Sequence, residues 1–389
     1  MDAHRAQMKI NKAYFRKQCI GNNSTGRQDL RSLYPRALLL LPFLAFFAAC
    51  DPSDNNRLSI VAGGDCLLDR HNGEFPASAP WDARWEHLAR AAEGCDAWVI
   101  NLETTVGPVS TAGSPKSKRF VFRAPPDRLD PLARFPRPIA AIANNHSLDY
   151  GPKGLLETIS ELDRRGIAHA GGGKSRADSM AAVPVEADGI TARVLSFGFD
   201  NDAESYSEEE GACIAPLRLK GMVATVEANR ASADLIIVML HWGQEYETRF
   251  SGHQAEMAHA LIDAGADAII GTGPHVLQGI ELYRGSLICY SLGNLVFDDL
   301  GDAERTASIL VRITLESHRR GAIKRGASKR FAIMPLRTRD PVQGPREPSP
   351  DDARSIIRAI ASRSPNPSIL SSRPEPSKSG TAWFRIKPK

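Results

Sequence analysis

Apolar positions along this chain fall into two kinds of run. Short, mostly apolar stretches lie at 58–62, 97–100, 139–143, 193–199, 235–240, 268–270, 287–290 and 309–315, the run at 235–240 unbroken. They read as strands, several of them buried on both faces. Between them, apolar residues recur every three or four positions. Leu155, Leu156, Ile159 and Leu162 share one face of a predicted helix over 154–165, and 81–92, 254–263 and 350–362 are further helix candidates. A short strand is expected near Ile167, followed by a Gly171-Gly172-Gly173 turn. Strands alternating with helices predict an α/β fold with a mainly parallel sheet and helices outside. The strand-rich later part predicts a second sheet or antiparallel edges.

The polar residues that matter sit where these strands end. Asp65 follows the first; Asn101 and Glu103 follow the second; Asn144, Asn145, His146 and Asp149 follow the third. His241 ends the 235–240 run and opens His241-Trp242-Gly243-Gln244-Glu245-Tyr246, and Thr272 and His275 follow 268–270. Taken singly, Asp65 reads equally as a turn residue, and Asn101 and Glu103 as caps. Five polar strand ends on one rim point instead to a shared site, because open α/β sheets bind ligands at the carboxyl ends of their strands. Carboxylate, amide oxygen and imidazole are donors suited to divalent Mn, Fe or Zn.

Composition narrows the function classes. The chain has 389 residues, 42% of them hydrophobic, and a formal net charge of +4. That is enough apolar material for a full core and too little charge for a nucleic-acid-binding stripe. The N-terminus is built differently from the rest. Residues 1–36 are polar and basic, and 37–49 form an apolar stretch too short for an ordinary spanning helix. Cys50 follows at once, in a pattern like that of a bacterial lipoprotein signal, so 1–50 is expected to be an export segment with Cys50 as the lipidated residue. Residues 51–57 read as a tether, 58–340 as the folded domain, and 341–389 as an Arg-, Ser- and Pro-rich extension, partly disordered. Cys95 and Cys289 lie beside apolar runs and read as buried thiols.

Several blocks together resemble one family. They are Gly64-Asp65, Asn101-Leu102-Glu103, Phe122-Arg123-Ala124-Pro125-Pro126, Ala143 through Gly151, His241 through Tyr246, Pro274-His275-Val276-Leu277-Gln278-Gly279 and Tyr290-Ser291-Leu292-Gly293-Asn294. Over roughly 57–300 the chain resembles bacterial capsule-synthesis proteins of the CapA type, linked to poly-gamma-glutamate. The resemblance implies a metallophosphoesterase-like fold, a two-sheet sandwich flanked by helices. It implies Asp65, Glu103, Asn145, His241 and His275 as metal ligands for one or two ions, and His146 with Asp149 as the catalytic pair. Arg123, Asn101, Asn144, Trp242, Glu245 and Tyr246 would meet the substrate, with Lys118 and Arg119 beside Arg123. The partners it implies are an anionic polymer, subunits of a membrane synthase and, through a lipid anchor, the outer or periplasmic side of a membrane. A non-enzymatic role as polymer-binding scaffold is the alternative. Two departures bear on the metal. Leu67 stands where two-metal phosphoesterases carry a histidine, and Gly273 stands where family members often carry another.

Overall fold

The computed structural model describes residues 56–69, 85–108, 115–198, 211–297, 301–317, 327–338, 344–375 and 380–387. The expectations for 1–50, Cys50 included, lie outside them. Two sheets face each other. The first runs from Leu370–Glu375 at one edge through Trp383–Ile386, Ser328–Arg337, Ala307–Ser317, Asn56–Cys66, Ala97–Leu102 and Pro138–Ala141 to Ala168–Ala170, with Asn294–Val296 also paired to Asn56–Cys66. The second runs from Ile280–Tyr283 through Ser286–Cys289, Ala268–Thr272, Leu235–His241 and Ile190–Gly198 to Val183–Ala187. The first sheet is parallel from Asn56–Cys66 to its Ala168–Ala170 edge and antiparallel on the other side, and the second has parallel central strands with antiparallel outer partners. A two-sheet sandwich flanked by helices is therefore the architecture, as the family resemblance implies.

Alternation along the strands builds four layers. Ile237 and Met239 face the other sheet, together with Ile60, Ala62, Val99, Ile139 and Ile270. Ile236, Val238 and Leu240 point the opposite way and pack under the helices Leu219–Arg230 and Gly252–Asp263. On the far side of the first sheet, Trp98, Ile100 and Ala140 pack with Leu88 of Glu86–Ala91 and with Leu155, Ile159 and Leu162 of Gly151–Arg164. Each such aliphatic side chain, fully buried, stabilises the fold by about 1.5–3 kcal/mol. Among the described residues no helix is long and apolar enough to cross a membrane. Cys66, Cys95, Cys213 and Cys289 are buried free thiols.

The C-terminal expectation needs correction. Within 341–389, Pro350–Arg363 is a helix as predicted, but Leu370–Glu375 and Trp383–Ile386 are strands that extend the first sheet. Trp383, Phe384 and Ile386 are buried. Composition concealed them: a short apolar cluster suffices for an edge strand even in a Pro- and Ser-rich segment. Arg337 grips Asp352 at the start of the helix through Nε, at 2.7 Å, and through Nη2, tying this end to the domain.

Candidate metal centre

The site forms where both sets of parallel strands end. On Ala97–Leu102 the residues facing the other sheet are Ala97 and Val99, and the same parity carries on to Asn101 and Glu103. On Leu235–His241 it runs Ile237, Met239, His241. Asn56–Cys66 breaks its register between Ala62 and Asp65, which turns Asp65 toward the second sheet at the level of Asn101 and Asn294. Close backbone approach keeps these ends in place. A Cβ on Gly64 would stand 1.9 Å from the Gly293 carbonyl oxygen, so only glycine fits there.

Glu103 is the centre of the arrangement. It is 1% exposed, and neither carboxylate oxygen has a hydrogen-bond partner. Three imidazoles surround its Oε1: His275 Nε2 at 3.7 Å, His241 Nε2 at 3.8 Å and His146 Nε2 at 3.9 Å. Asp65, Glu103 and His241 each bring a ligand atom within 4.8 Å of the others. These separations are too long for hydrogen bonds. They are close to those of groups sharing an ion, since four ligands about 2.1 Å from zinc stand about 3.4 Å apart. The buried amide oxygen of Asn145 also has no hydrogen-bond partner. A buried acid left unsatisfied among imidazoles is costly in a metal-free protein and is resolved by a cation. The donor set therefore fits a divalent metal.

The surroundings tune each ligand. Burial pushes the Glu103 pKa well above its ordinary value, against the pull of His275, with the Asp65, Glu245 and Asp149 charges adding to the rise. Burial also opposes ionisation of Asp65, but a hydrogen bond to His275, the two nearby imidazoles and the Gly273 N–H outweigh it and hold its pKa low. His241 is pushed down to about 3, mainly by burial. Burial lowers His275 too, yet Glu103 and Asp65 overcome this and raise its pKa. Metal binding at such a set of acids and imidazoles displaces protons, so metal affinity rises with pH. Supports orient the ligands in turn. Asn101 Nδ2 donates to Asp65 Oδ1 at 2.8 Å and reaches His241 Nδ1 at 3.2 Å, and Gly273 N donates to Asp65 Oδ2 at 3.1 Å. Asn294 Oδ1 accepts from His275 Nδ1 at 3.0 Å.

Comparison with known proteins places the chain in a family. The model of the bacterial capsule synthesis protein PGA_cap matches residues 59–299. The chain belongs to this bacterial capsule synthesis family. It is 31% identical over 219 residues to the PGA biosynthesis protein CapA of Bacillus subtilis, which spans 56% of this chain and 55% of that protein. It is 30% identical over 250 residues to the capsule biosynthesis protein CapA of Bacillus anthracis, covering 63% of this chain and 61% of that one. The chain thus spans little more than half the length of these relatives. Among solved structures it is similar to a 5'-nucleotidase precursor from Thermus thermophilus, with a TM-score of 0.40, 14% identity and coverage of 79% of this chain and 58% of that one.

Within this family member, His146 is placed by Asp149. Asp149 Oδ2 accepts from His146 Nδ1 at 2.8 Å and from the Phe122 backbone N–H at 2.6 Å, while Lys118 ion-pairs with its other oxygen. With the proton on Nδ1, Nε2 is the atom facing Glu103. Burial keeps the pKa of His146 low, against the opposing pull of Asp149.

Other expected site residues have other work. Trp242 is turned out of the cleft: it takes the parity opposite to His241, is 1% exposed, and donates from Nε1 to the Tyr290 carbonyl at 2.9 Å. Arg123 does not face a polymer. It is buried, pairs with Glu157 at 2.5 Å and donates to the Pro108 carbonyl at 2.9 Å. Asn144 is a brace, donating to Asn101 Oδ1 and Leu102 O and accepting from the His146 N–H. Glu245 and Tyr246 are exposed at the mouth, with the Tyr246 ring 6.1 Å from that of His275.

Two contributors escaped the sequence reading as site residues: Asn294, and Lys118 as the cation on Asp149. Asn294 alone carried a signal, the Ser-Leu-Gly-Asn block. The two departures from the family pattern also become concrete. Leu67 is fully buried and clusters with Phe122 and Phe297. Those rings lie 4.1 Å from His146 and 4.9 Å from His275. Gly273 has φ +105°, and a Cβ there would stand 3.3 Å from the His241 ring.

Proposed function

We propose that this protein is an exported, membrane-tethered, single-metal hydrolase or transferase that acts on an anionic surface polymer of the poly-gamma-glutamate kind during its assembly, release or export. The observation that carries the reading is the Glu103 carboxylate, buried without a hydrogen-bond partner among three imidazole nitrogens. Asp65, Glu103, His241 and His275 would hold the ion, with Asn145 as a further oxygen donor. A divalent cation of the Mn, Fe or Zn type supplies Lewis-acid polarisation of a phosphoryl or carbonyl oxygen. The protein's own part is positional. Asp149 fixes the His146 ring, so that Nε2 can hold or move a proton at the reacting group. Asn101 and Asn294 orient their ligands, and the Leu67–Phe122–Phe297 wall keeps water from one side. The polymer class is taken from the capsule-synthesis relatives.

The test is metal analysis of the purified full-length protein beside a phosphodiesterase and γ-glutamyl hydrolase assay. About one ion per chain is expected, with activity falling at least about 100-fold in His146→Ala, as befits loss of a positioned proton-transfer group. Absence of metal after reconstitution with Mn, Fe and Zn would sink the reading. The departures at Leu67 and Gly273 favour one alternative, a non-enzymatic polymer-binding scaffold built on the same cleft, which gains ground if metal is stoichiometric but no turnover is found. Tethering rests on the 37–50 sequence pattern, with Cys50 as the lipid-bearing residue. Cys50→Ser is expected to move the protein from the membrane to the soluble fraction and to remove the mass of the lipid; unchanged mass and fractionation refute it.

A further inference from the structure

We propose that Arg305 is an oxyanion-binding residue at the mouth of the metal centre, seating a carboxylate or phosphate of the ligand while a neighbouring group of the same molecule reaches the ion. The proposal rests on the metal-centre reading for the second of those contacts.

Arg305 lies eleven residues beyond Asn294 and is held to the site at two points, with its head group paired besides to Asp302. Its guanidinium lies over the Tyr246 ring, 4.1 Å from the centroid, and that ring is 6.1 Å from His275. The guanidinium is therefore no more than about 10 Å from a proposed metal ligand. Its backbone carbonyl accepts from Asn294 Nδ2 at 3.1 Å, and Asn294 is the residue whose other amide atom holds His275. Its Nε pairs with Asp302 Oδ2 at 3.1 Å, which fixes the direction of the head group.

What remains of the guanidinium is a two-pronged donor. Among the described residues, no partner for Nη1 or Nη2 is found, and the side chain is 36% exposed. Stacking on Tyr246 and pairing at Nε remove most of the side-chain freedom, so little entropy is lost when those two nitrogens take a ligand. Tyr246 is itself fixed. It has φ +66°, and its N–H donates to the Pro274 carbonyl at 2.8 Å, next to His275. A planar cation held rigidly beside a metal suits a carboxylate or phosphate that accepts two parallel hydrogen bonds.

The experiment titrates full-length wild type, Arg305→Gln and Arg305→Lys with two probes, inorganic phosphate and a γ-linked glutamate oligomer, and measures bound metal in each. Arg305→Gln is expected to bind the probe that wild type binds about 10-fold more weakly, the cost of about 1.4 kcal/mol expected for a lost charge-assisted contact. Arg305→Lys should fall between, because it keeps the charge but not the fork. Metal content should stay at the wild-type value, since Asn294 is held by the backbone of residue 305. Preference for one probe identifies whether phosphate or carboxylate is seated. Unchanged affinity in Arg305→Gln, binding of neither probe by wild type, or parallel loss of metal overturns the proposal. If wild type holds no metal, the function reading fails separately, and the anion titration still decides the role of Arg305.

Discussion

Glu103→Gln is expected to reduce bound metal from about one ion per chain to less than a tenth of that, and yet to raise the melting temperature of the metal-free protein. The two effects have one cause. In the metal-free fold the Glu103 carboxyl is buried without a hydrogen-bond partner, and burial raises its pKa. An unsatisfied buried acid costs about 1–3 kcal/mol. Glutamine keeps the shape, carries no charge and offers an N–H donor toward Asp65 or an imidazole, so part of that cost disappears. A gain of about 1 kcal/mol corresponds to about 2 °C in a domain of this size. With metal present the sign reverses. A ligand at a thousand times its Kd stabilises by about 4 kcal/mol, and the variant forfeits this because a neutral amide oxygen is a poor substitute for a carboxylate. Thermal melts with and without EDTA, paired with elemental analysis, read both effects. A variant that keeps its metal, or one less stable than wild type in EDTA, contradicts the assignment of Glu103 as the central ligand.

That crossover depends on strand parity, which was only partly legible in the sequence. The run ending at Leu240 marks a buried strand but does not say which residues face which layer, because both faces are apolar. Hence His241 and Trp242 looked equally able to enter the cleft, and only the sandwich geometry separates them: His241 follows Ile237 and Met239 inward, whereas Trp242 follows Leu240 outward. Asp65 could not be oriented either, since the irregularity after Ala62 changes its parity. The five polar strand ends were readable because charged and amide residues after a buried run are costly without a purpose. What supports them was not. Asn294 lies 19 residues beyond His275 and Arg305 another 11 beyond that, where no periodicity marks them, and Lys118 was one basic residue among several in its loop. Arg123 was misread for the same reason: its partner Glu157 lies on a helix 34 residues away.

The apolar wall leads to the other large effect. Leu67→His, which places an imidazole where the resemblance to two-metal phosphoesterases would call for one, is expected to destabilise the protein by about 2–4 kcal/mol and to leave the ion count at one. Leu67 is fully buried against Phe122 and Phe297, so the new imidazole would exchange apolar contacts for an unpaired polar group. It also has too few companions. The next missing donor would have to come from Gly273, where φ is +105° and a Cβ would stand 2.9 Å from the Trp242 carbonyl oxygen and 3.3 Å from the His241 ring. A histidine there would displace an existing ligand instead of adding a second ion. The double variant Leu67→His with Gly273→His should therefore bind no more than one ion and melt below either single variant. Two ions per chain in either protein, measured by elemental analysis at saturating metal, would overturn the single-ion reading. The wall would then be an adaptable surface. One ion, with the loss of stability, means instead that packing around His146 and His275 has closed that half of the cleft, leaving Arg305 and Tyr246 on the open side as the way in for an anionic ligand.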